Sequence, residues 1–183
     1  MSTKTEATVD DLYRVPENGK AEIVNGELVL MSPTGGVPGR AAGKIFISLH
    51  EYEVRVGGGY AFPDNVGFIV NLPNRRSFSP DAAFFTGELR GGLFLEGAPV
   101  FAVEVRSAEE YGPAAEVRMA AKRADYFAAG TLVVWDVDVL RENVVRVFRS
   151  TQPDQPTVYG AGHTAEAEPA VSGWTMTVNS LFN

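Results

Sequence analysis

Apolar residues recur along the chain with two different periods. From Arg40 to Val56, the positions Ala41, Ile45, Leu49 and Tyr52, with Ala42 and Phe46, fall at the spacing of one helix face. Gly57-Gly58-Gly59 then stops that helix. A second long helix opens at Pro113, runs through Ala129 and closes at Gly130. A short helix is predicted from Val9 to Val15, with Thr8 as its cap and Asp10 and Asp11 in its first turn. Pro16 to Gly19 ends it. Lys20 to Val24 and Glu27 to Met31 flank Asn25-Gly26, a strong hairpin signal. Tyr60 to Phe62, Val66 to Val70, Asp81 to Phe85, Leu132 to Val137 and Val144 to Phe148 read as strands. Val100 to Val105 is almost wholly apolar, as in a strand buried on both faces. Residues 150–170 are polar, carry Pro153, Pro156 and Pro169, and predict irregular structure; a short strand is expected from Trp174 to Val178. The order of elements predicts an α+β or mixed α/β fold, rich in strands, with two substantial helices. Residues 1–7 are expected to form a flexible tail and residues 8–183 one domain.

Composition narrows the function classes. The 183 residues are 45% hydrophobic and 21% charged, which suits one domain. The formal charge of −7 excludes a generally basic, nucleic-acid-gripping surface and leaves room only for a local groove. With no cysteine, disulfides, thiolate zinc sites and a cysteine nucleophile are excluded. No apolar run follows Lys4, so no secretory signal is expected. No stretch approaches the roughly 18 apolar residues of a membrane span. A cytoplasmic protein without membrane contact is the expectation. The glycines at 57–59 lack the lysine of a phosphate loop, and no Gly-x-Ser-x-Gly elbow occurs.

Candidate chemistry starts from one residue. Glu104 lies inside the most apolar strand, where a carboxylate is costly unless paired or bound to metal. Asp81 follows Pro80 at the start of another strand. Two acids at the ends of neighbouring strands can converge on one Mg²⁺ or Mn²⁺, cations that take one or two carboxylates plus water and phosphate. The matching chemistry is phosphodiester hydrolysis. Arg106, two residues after Glu104, shares its face; it can clamp a phosphate but is a poor base, and it could equally pair with Glu104. Lys122 in the second helix could reach the same place, with Tyr126 one turn further on. Arg75-Arg76 reads as a solvated loop, Trp135 as core, and Asp136 and Asp138 as structural or turn acids. His50 and His163 have no partner at metal-binding spacing.

These residues carry a family resemblance. Pro80-Asp81 followed by Val103-Glu104-Val105-Arg106-Ser107 resembles the PD-(D/E)xK nuclease superfamily. Closer still is its stand-alone bacterial "putative restriction endonuclease" family. The match takes in residues 21–33 around Glu22, then Lys122-x₃-Tyr126-x₃-Gly130 leading into Val133 to Asp138. It runs from about Asp10 to Phe182. The resemblance implies a restriction-endonuclease-like fold, with a central mixed sheet flanked by helices and an N-terminal hairpin. It also implies a Mg²⁺ or Mn²⁺ site. Asp81 and Glu104 match the metal-holding acids, the Val105 carbonyl a further contact, and Glu22 an additional acid nearby. The superfamily's lysine position holds Arg106, and Lys122 matches a lysine displaced to the following helix. A histidine frequent at the start of the family's first long helix is replaced by Gly36 to Ala42, and the proline usual after Ser107 is absent.

The implied function is a metal-dependent endonuclease acting on DNA. Two alternatives stand beside it: a non-catalytic binding or scaffold protein that keeps the fold, and a small-phosphoester hydrolase using the same site. A homodimer is expected, because duplex cleavage needs two sites.

Overall fold

The computed structural model describes residues 6–16 and 19–182. Most of the expected tail, and the middle of the turn from Pro16 to Gly19, lie outside the described residues. Ala7, within the expected tail, donates its amide to the Gly26 carbonyl at 2.9 Å.

The chain begins with a short helix α1 (Val9–Tyr13), then the hairpin β1 (Lys20–Val24) and β2 (Glu27–Met31). Asn25 and Gly26 both take positive φ, 50° and 71°, as the tight turn requires. The long helix α2 (Gly36–Val56) leads to β3 (Tyr60–Pro63), the small strands β4 (Phe68–Ile69) and β5 (Ser77–Phe78), then β6 (Ala82–Phe85) and β7 (Leu95–Glu96). Strand β8 (Phe101–Val105), helix α3 (Pro113–Ala128) and strand β9 (Val133–Asp138) form a crossover unit. β10 (Val144–Arg149), β11 (Gln152–Tyr159), β12 (Thr164–Glu166) and β13 (Thr175–Thr177) follow, with a closing 3₁₀ turn over Val178–Leu181.

The central sheet has six strands in the order β11-β10-β9-β8-β6-β3. Only β8 and β9 run parallel; the connection between them needs a crossover, and α3 supplies it. This is the mixed sheet flanked by helices that the sequence predicts. Alternation along the strands sorts the side chains. Phe84, Phe101, Val103, Val105, Trp135 and Val137 face α2, whose buried stripe is Ala41, Ala42, Ile45, Leu49 and Tyr52. Ala83, Phe85, Ala102 and Val134 face the other way, toward Tyr126 of α3 and the small β5-β4-β7 sheet. α3 buries only Ala115 and Tyr126 completely, so its hold on the sheet is largely polar.

The structure departs from the sequence reading in the C-terminal third. Residues expected to be irregular carry β11 and β12. β11 is an edge strand, mostly exposed, so no buried face imposes alternation on it. Val66 to Val70 keeps only two strand residues, and β13 is shorter than expected because a 3₁₀ turn takes over at Val178. β5 and β7 carry no readable pattern at two residues each.

Trp135 has no exposed surface, meets Phe101 and Trp174 edge-on or tilted, and donates its indole N–H to the Glu166 carbonyl at 3.0 Å. Trp135→Ala should destabilise the protein by about 3–5 kcal/mol, read as a lower midpoint in urea.

Candidate active site

The site lies at one end of the central sheet, on the α3 side. Successive residues of a strand point to opposite faces. Glu104 and Arg106 therefore share the face of Ala102, and Asp136 that of Val134. β6 runs antiparallel to β8, with Ala82 opposite Val103, so Asp81 arrives beside Glu104. The Asp81 amide bonds the Val103 carbonyl at 3.0 Å, and Asp81 Oδ2 accepts the Val105 N–H at 2.7 Å.

The hairpin completes the site from outside the main sheet. A bridge between Val24 and Arg75, the Arg76 N–H on the Ile23 carbonyl (3.0 Å) and the Ile23 N–H on Ser77 Oγ (2.9 Å) dock β1 onto the chain before β6. Lys20 and Glu22, two apart on β1, then point into the site. Lys20 Nζ lies 2.8 Å from Asp81 Oδ1 and 2.7 Å from Asp64 Oδ1. Glu22 is buried; Oε1 accepts the Ser79 N–H at 2.9 Å and pairs with Lys122 at 3.0 Å, while Oε2 accepts from Arg75 at 2.6 Å.

Lys122 Nζ spans Glu22 and Glu104, the latter at 2.8 Å on Oε2. The Tyr126 hydroxyl donates to Glu104 Oε1 at 2.7 Å, and its ring stacks on Phe78 at 4.0 Å. Arg75 links Glu22 to Asp125 of α3. Both oxygens of Asp81 and both of Glu104 thus receive protein donors. Glu22, Asp64, Asp81, Glu104 and Asp125 meet three cations, Lys20, Arg75 and Lys122, leaving an excess of two negative charges.

The electrostatics follow from this crowding. Burial, with Asp81 and Glu22 close by, pushes Glu104 up to about 7 despite Lys122. Burial alone would drive Lys122 toward the neutral amine; Glu104 and Glu22 outweigh it and hold the ammonium. Lys20 stays charged in the same way, with Asp81, Glu104 and Asp64 overriding its burial. Glu22 is held below the usual carboxylate range because Lys122 and Arg75 outweigh its burial.

Sequence reasoning named Asp81, Glu104, Lys122 and Glu22, and the fold brings all four together. Arg106 shares the face of Glu104 but does not pair with it. Its guanidinium forks onto Asp136 at 2.7 and 2.6 Å and onto Glu116 at 2.5 and 3.2 Å. Asp136 is accordingly a buried partner of Arg106, and Asp138 caps the turn at Leu140 and Arg141, as a turn acid does. The expectation of a solvated Arg75 is corrected. Arg75 is 5% exposed, because docking against β1 carries it onto Glu22. Lys20, Asp64, Arg75 and Asp125 were not anticipated as site residues. The one available signal was the two-residue spacing of Lys20 and Glu22, which puts both on one strand face.

The donor set suits a hard divalent cation. Asp81 and Glu104 offer carboxylate oxygens, and the carboxylates around them outnumber the cations. Among the described residues, no cluster of three or more acids and histidines is arranged to hold a metal alone. Two carboxylates with water and phosphate completing the shell is the Mg²⁺ and Mn²⁺ pattern.

A crystal structure of a "putative nuclease" of the DUF820 group from Anabaena variabilis superposes with a TM-score of 0.75 at 17% identity, covering 96% of this chain and 97% of that one. The chain therefore shares the fold of that protein. No curated protein matches the sequence. Residues 9–179 match the model of the Uma2 family, described as "Putative restriction endonuclease", and the chain belongs to that family. Among the described residues no helix is long and apolar enough to cross a membrane.

Two outcomes follow from the charge network. Arg75→Met strands the buried Glu22 carboxylate and should cost about 3–5 kcal/mol in urea unfolding, with Arg75→Met/Glu22→Gln recovering part of it. Glu104 has a raised folded pKa, so the protonated acid favours the fold, and that contribution fades as pH rises from the ordinary glutamate range through about 7. Glu104→Gln should raise the melting temperature relative to the native protein at pH 8, and the gap should shrink toward pH 5.

Proposed function

We propose that this protein is a Mg²⁺- or Mn²⁺-dependent endonuclease that hydrolyses phosphodiester bonds in DNA. The observation that carries the reading is the convergence of Asp81 and Glu104 on adjacent strands, with Lys122 on the second acid. Asp81 and Glu104 would hold the cation, together with the Val105 carbonyl that the family resemblance assigns to it. A divalent cation held there would supply Lewis-acid polarisation of the scissile phosphate and a lowered pKa for a bound water.

The chain's own groups do the rest. The Val105 N–H fixes one Asp81 oxygen and so sets the tilt of that carboxylate. Lys122 is kept charged by Glu104 and Glu22, and it would donate to the phosphate and orient the attacking water. Tyr126 holds the Glu104 carboxylate against rotation. Arg106 assists as a positioning residue: by binding Asp136 of β9 and Glu116 of α3 it ties the lysine-bearing helix to the sheet. DNA contact must be local, since the whole chain carries −7. A homodimer would place one site on each strand of a duplex. The same acidity favours a second reading, hydrolysis of small phosphoesters, which carry less charge to repel.

Calorimetric titration with Mn²⁺ tests the site. The wild type should bind, and Asp81→Ala and Glu104→Ala should each abolish binding with the fold intact by circular dichroism. Lys122→Gln should still bind Mn²⁺ yet lose about 100-fold or more in plasmid nicking. Mn²⁺ binding indifferent to both acid substitutions would sink the two-carboxylate site. Cleavage of bis-nitrophenyl phosphate without plasmid nicking would select the small-phosphoester reading.

A further inference from the structure

Lys20 is left over from the chemistry above. Its ammonium lies on Asp81 Oδ1, an oxygen that a bound cation would need, and at the same time on Asp64. Asp81 Oδ2 already accepts the Val105 N–H, so Oδ1 is the oxygen with more free lone-pair capacity once the ammonium moves off it. Glu104 is occupied too, by Lys122 and Tyr126. An entering cation competes with an ammonium at each acid, Lys20 at Asp81 and Lys122 at Glu104, and the two lysines are not equally free to go.

The spaces beside them differ. On the Lys122 side, the cavity walled by Glu104, Arg106, Lys122 and Tyr126 measures about 30 Å³, room for a water and little else. Lys122 is further pinned by the buried Glu22. On the Lys20 side, an open groove of about 370 Å³ runs between the end of α1, the hairpin and the turn at Asp64 and Asn65, with Lys20, Ser32 and Thr34 along it. Asp64 is 37% exposed at its side chain, stands at this groove and already holds the ammonium. Lys20 can leave Asp81 without losing its second carboxylate.

We infer that Lys20 is an exchangeable counter-ion of the site: it neutralises Asp81 while no divalent cation is present, and moves wholly onto Asp64 when one enters. This rests on the reading of Asp81 and Glu104 as cation-holding residues. It assigns Asp64 a role too, as the berth of the displaced ammonium rather than as a ligand. The displaced ammonium stands on the groove wall next to the cation, where an anionic oxygen of the substrate would meet it. Cation entry and the presentation of a phosphate-binding charge then become one event.

The test compares Mn²⁺ affinity, by calorimetry on the full chain, across the wild type and four variants. Lys20→Met removes the competitor and should tighten Mn²⁺ binding about ten-fold or more, an ordinary size for coupling between two ligands. Asp64→Asn removes the berth and should weaken it several-fold. In the Lys20→Met background, Asp64→Asn should change nothing, because Asp64 acts only through Lys20. Lys20→Arg, which keeps a cation on Asp81, should stay near wild type. Should Lys20→Met fail to fold, Lys20→Gln carries the same comparison. Equal affinity in wild type and Lys20→Met, with Asp81→Ala inactive in binding, overturns the exchange and leaves the cation site standing. An Asp64→Asn effect that persists without Lys20 overturns it as well. No Mn²⁺ binding by the wild type or by Lys20→Met overturns both the exchange and the cation site.

Discussion

The ammonium of Lys122 lies between Glu104 of the central sheet and Glu22 of the hairpin, and those two ion pairs join three elements that share little apolar surface. α3 buries two side chains fully, and β1 belongs to a separate two-stranded sheet. What draws helix, hairpin and sheet to one place is the cost of leaving Glu104 and Glu22 uncompensated under so much protein. Arg75 repeats the device with Glu22 and Asp125, and Arg106 with Asp136 and Glu116. The apolar core on the α2 face holds that side of the sheet together; on the opposite face a smaller apolar cluster around Tyr126 and these charges together hold the machinery to the sheet.

This division explains which parts of the molecule are readable from the sequence. Helix α2 and strand β10 bury one face, so burial leaves its period in their residues, while β8 and β9 are legible as short apolar runs buried on both faces. The hairpin is legible from its turn, since Asn25 and Gly26 take up a conformation that few other residues tolerate. β11 reads as irregular because it is exposed for most of its length and no buried face selects its residues for alternation. The two-residue strands β4, β5 and β7 are shorter than any period.

The site divides along the same line. Glu104 stands out because an acid in an apolar strand contradicts its surroundings, Asp81 and Lys122 are candidates from their places on a neighbouring strand and the next helix, and Glu22 enters only through the family resemblance. Lys20 and Arg75 look like ordinary surface cations in sequence. Their partners lie 61 residues away at Asp81 and 53 away at Glu22, and only the docking of the hairpin makes those pairs neighbours. Arg106 shows the converse. Its spacing from Glu104 is that of a catalytic cation, yet nearer carboxylates on β9 and α3 claim its guanidinium. Face and spacing say where a side chain points; the competing partners at that point decide what it touches.

The outermost strand of the sheet has a consequence of its own. β11 runs along one edge and is exposed for most of its length, which would ordinarily offer another chain a row of unused amides. Pro153 and Pro156 lie in that strand and have no amide hydrogen to offer. A stray strand sliding alongside would find gaps in the ladder and could not zip along it. The prolines that hide β11 from a reading of the sequence thus also guard the sheet against growing sideways into aggregates.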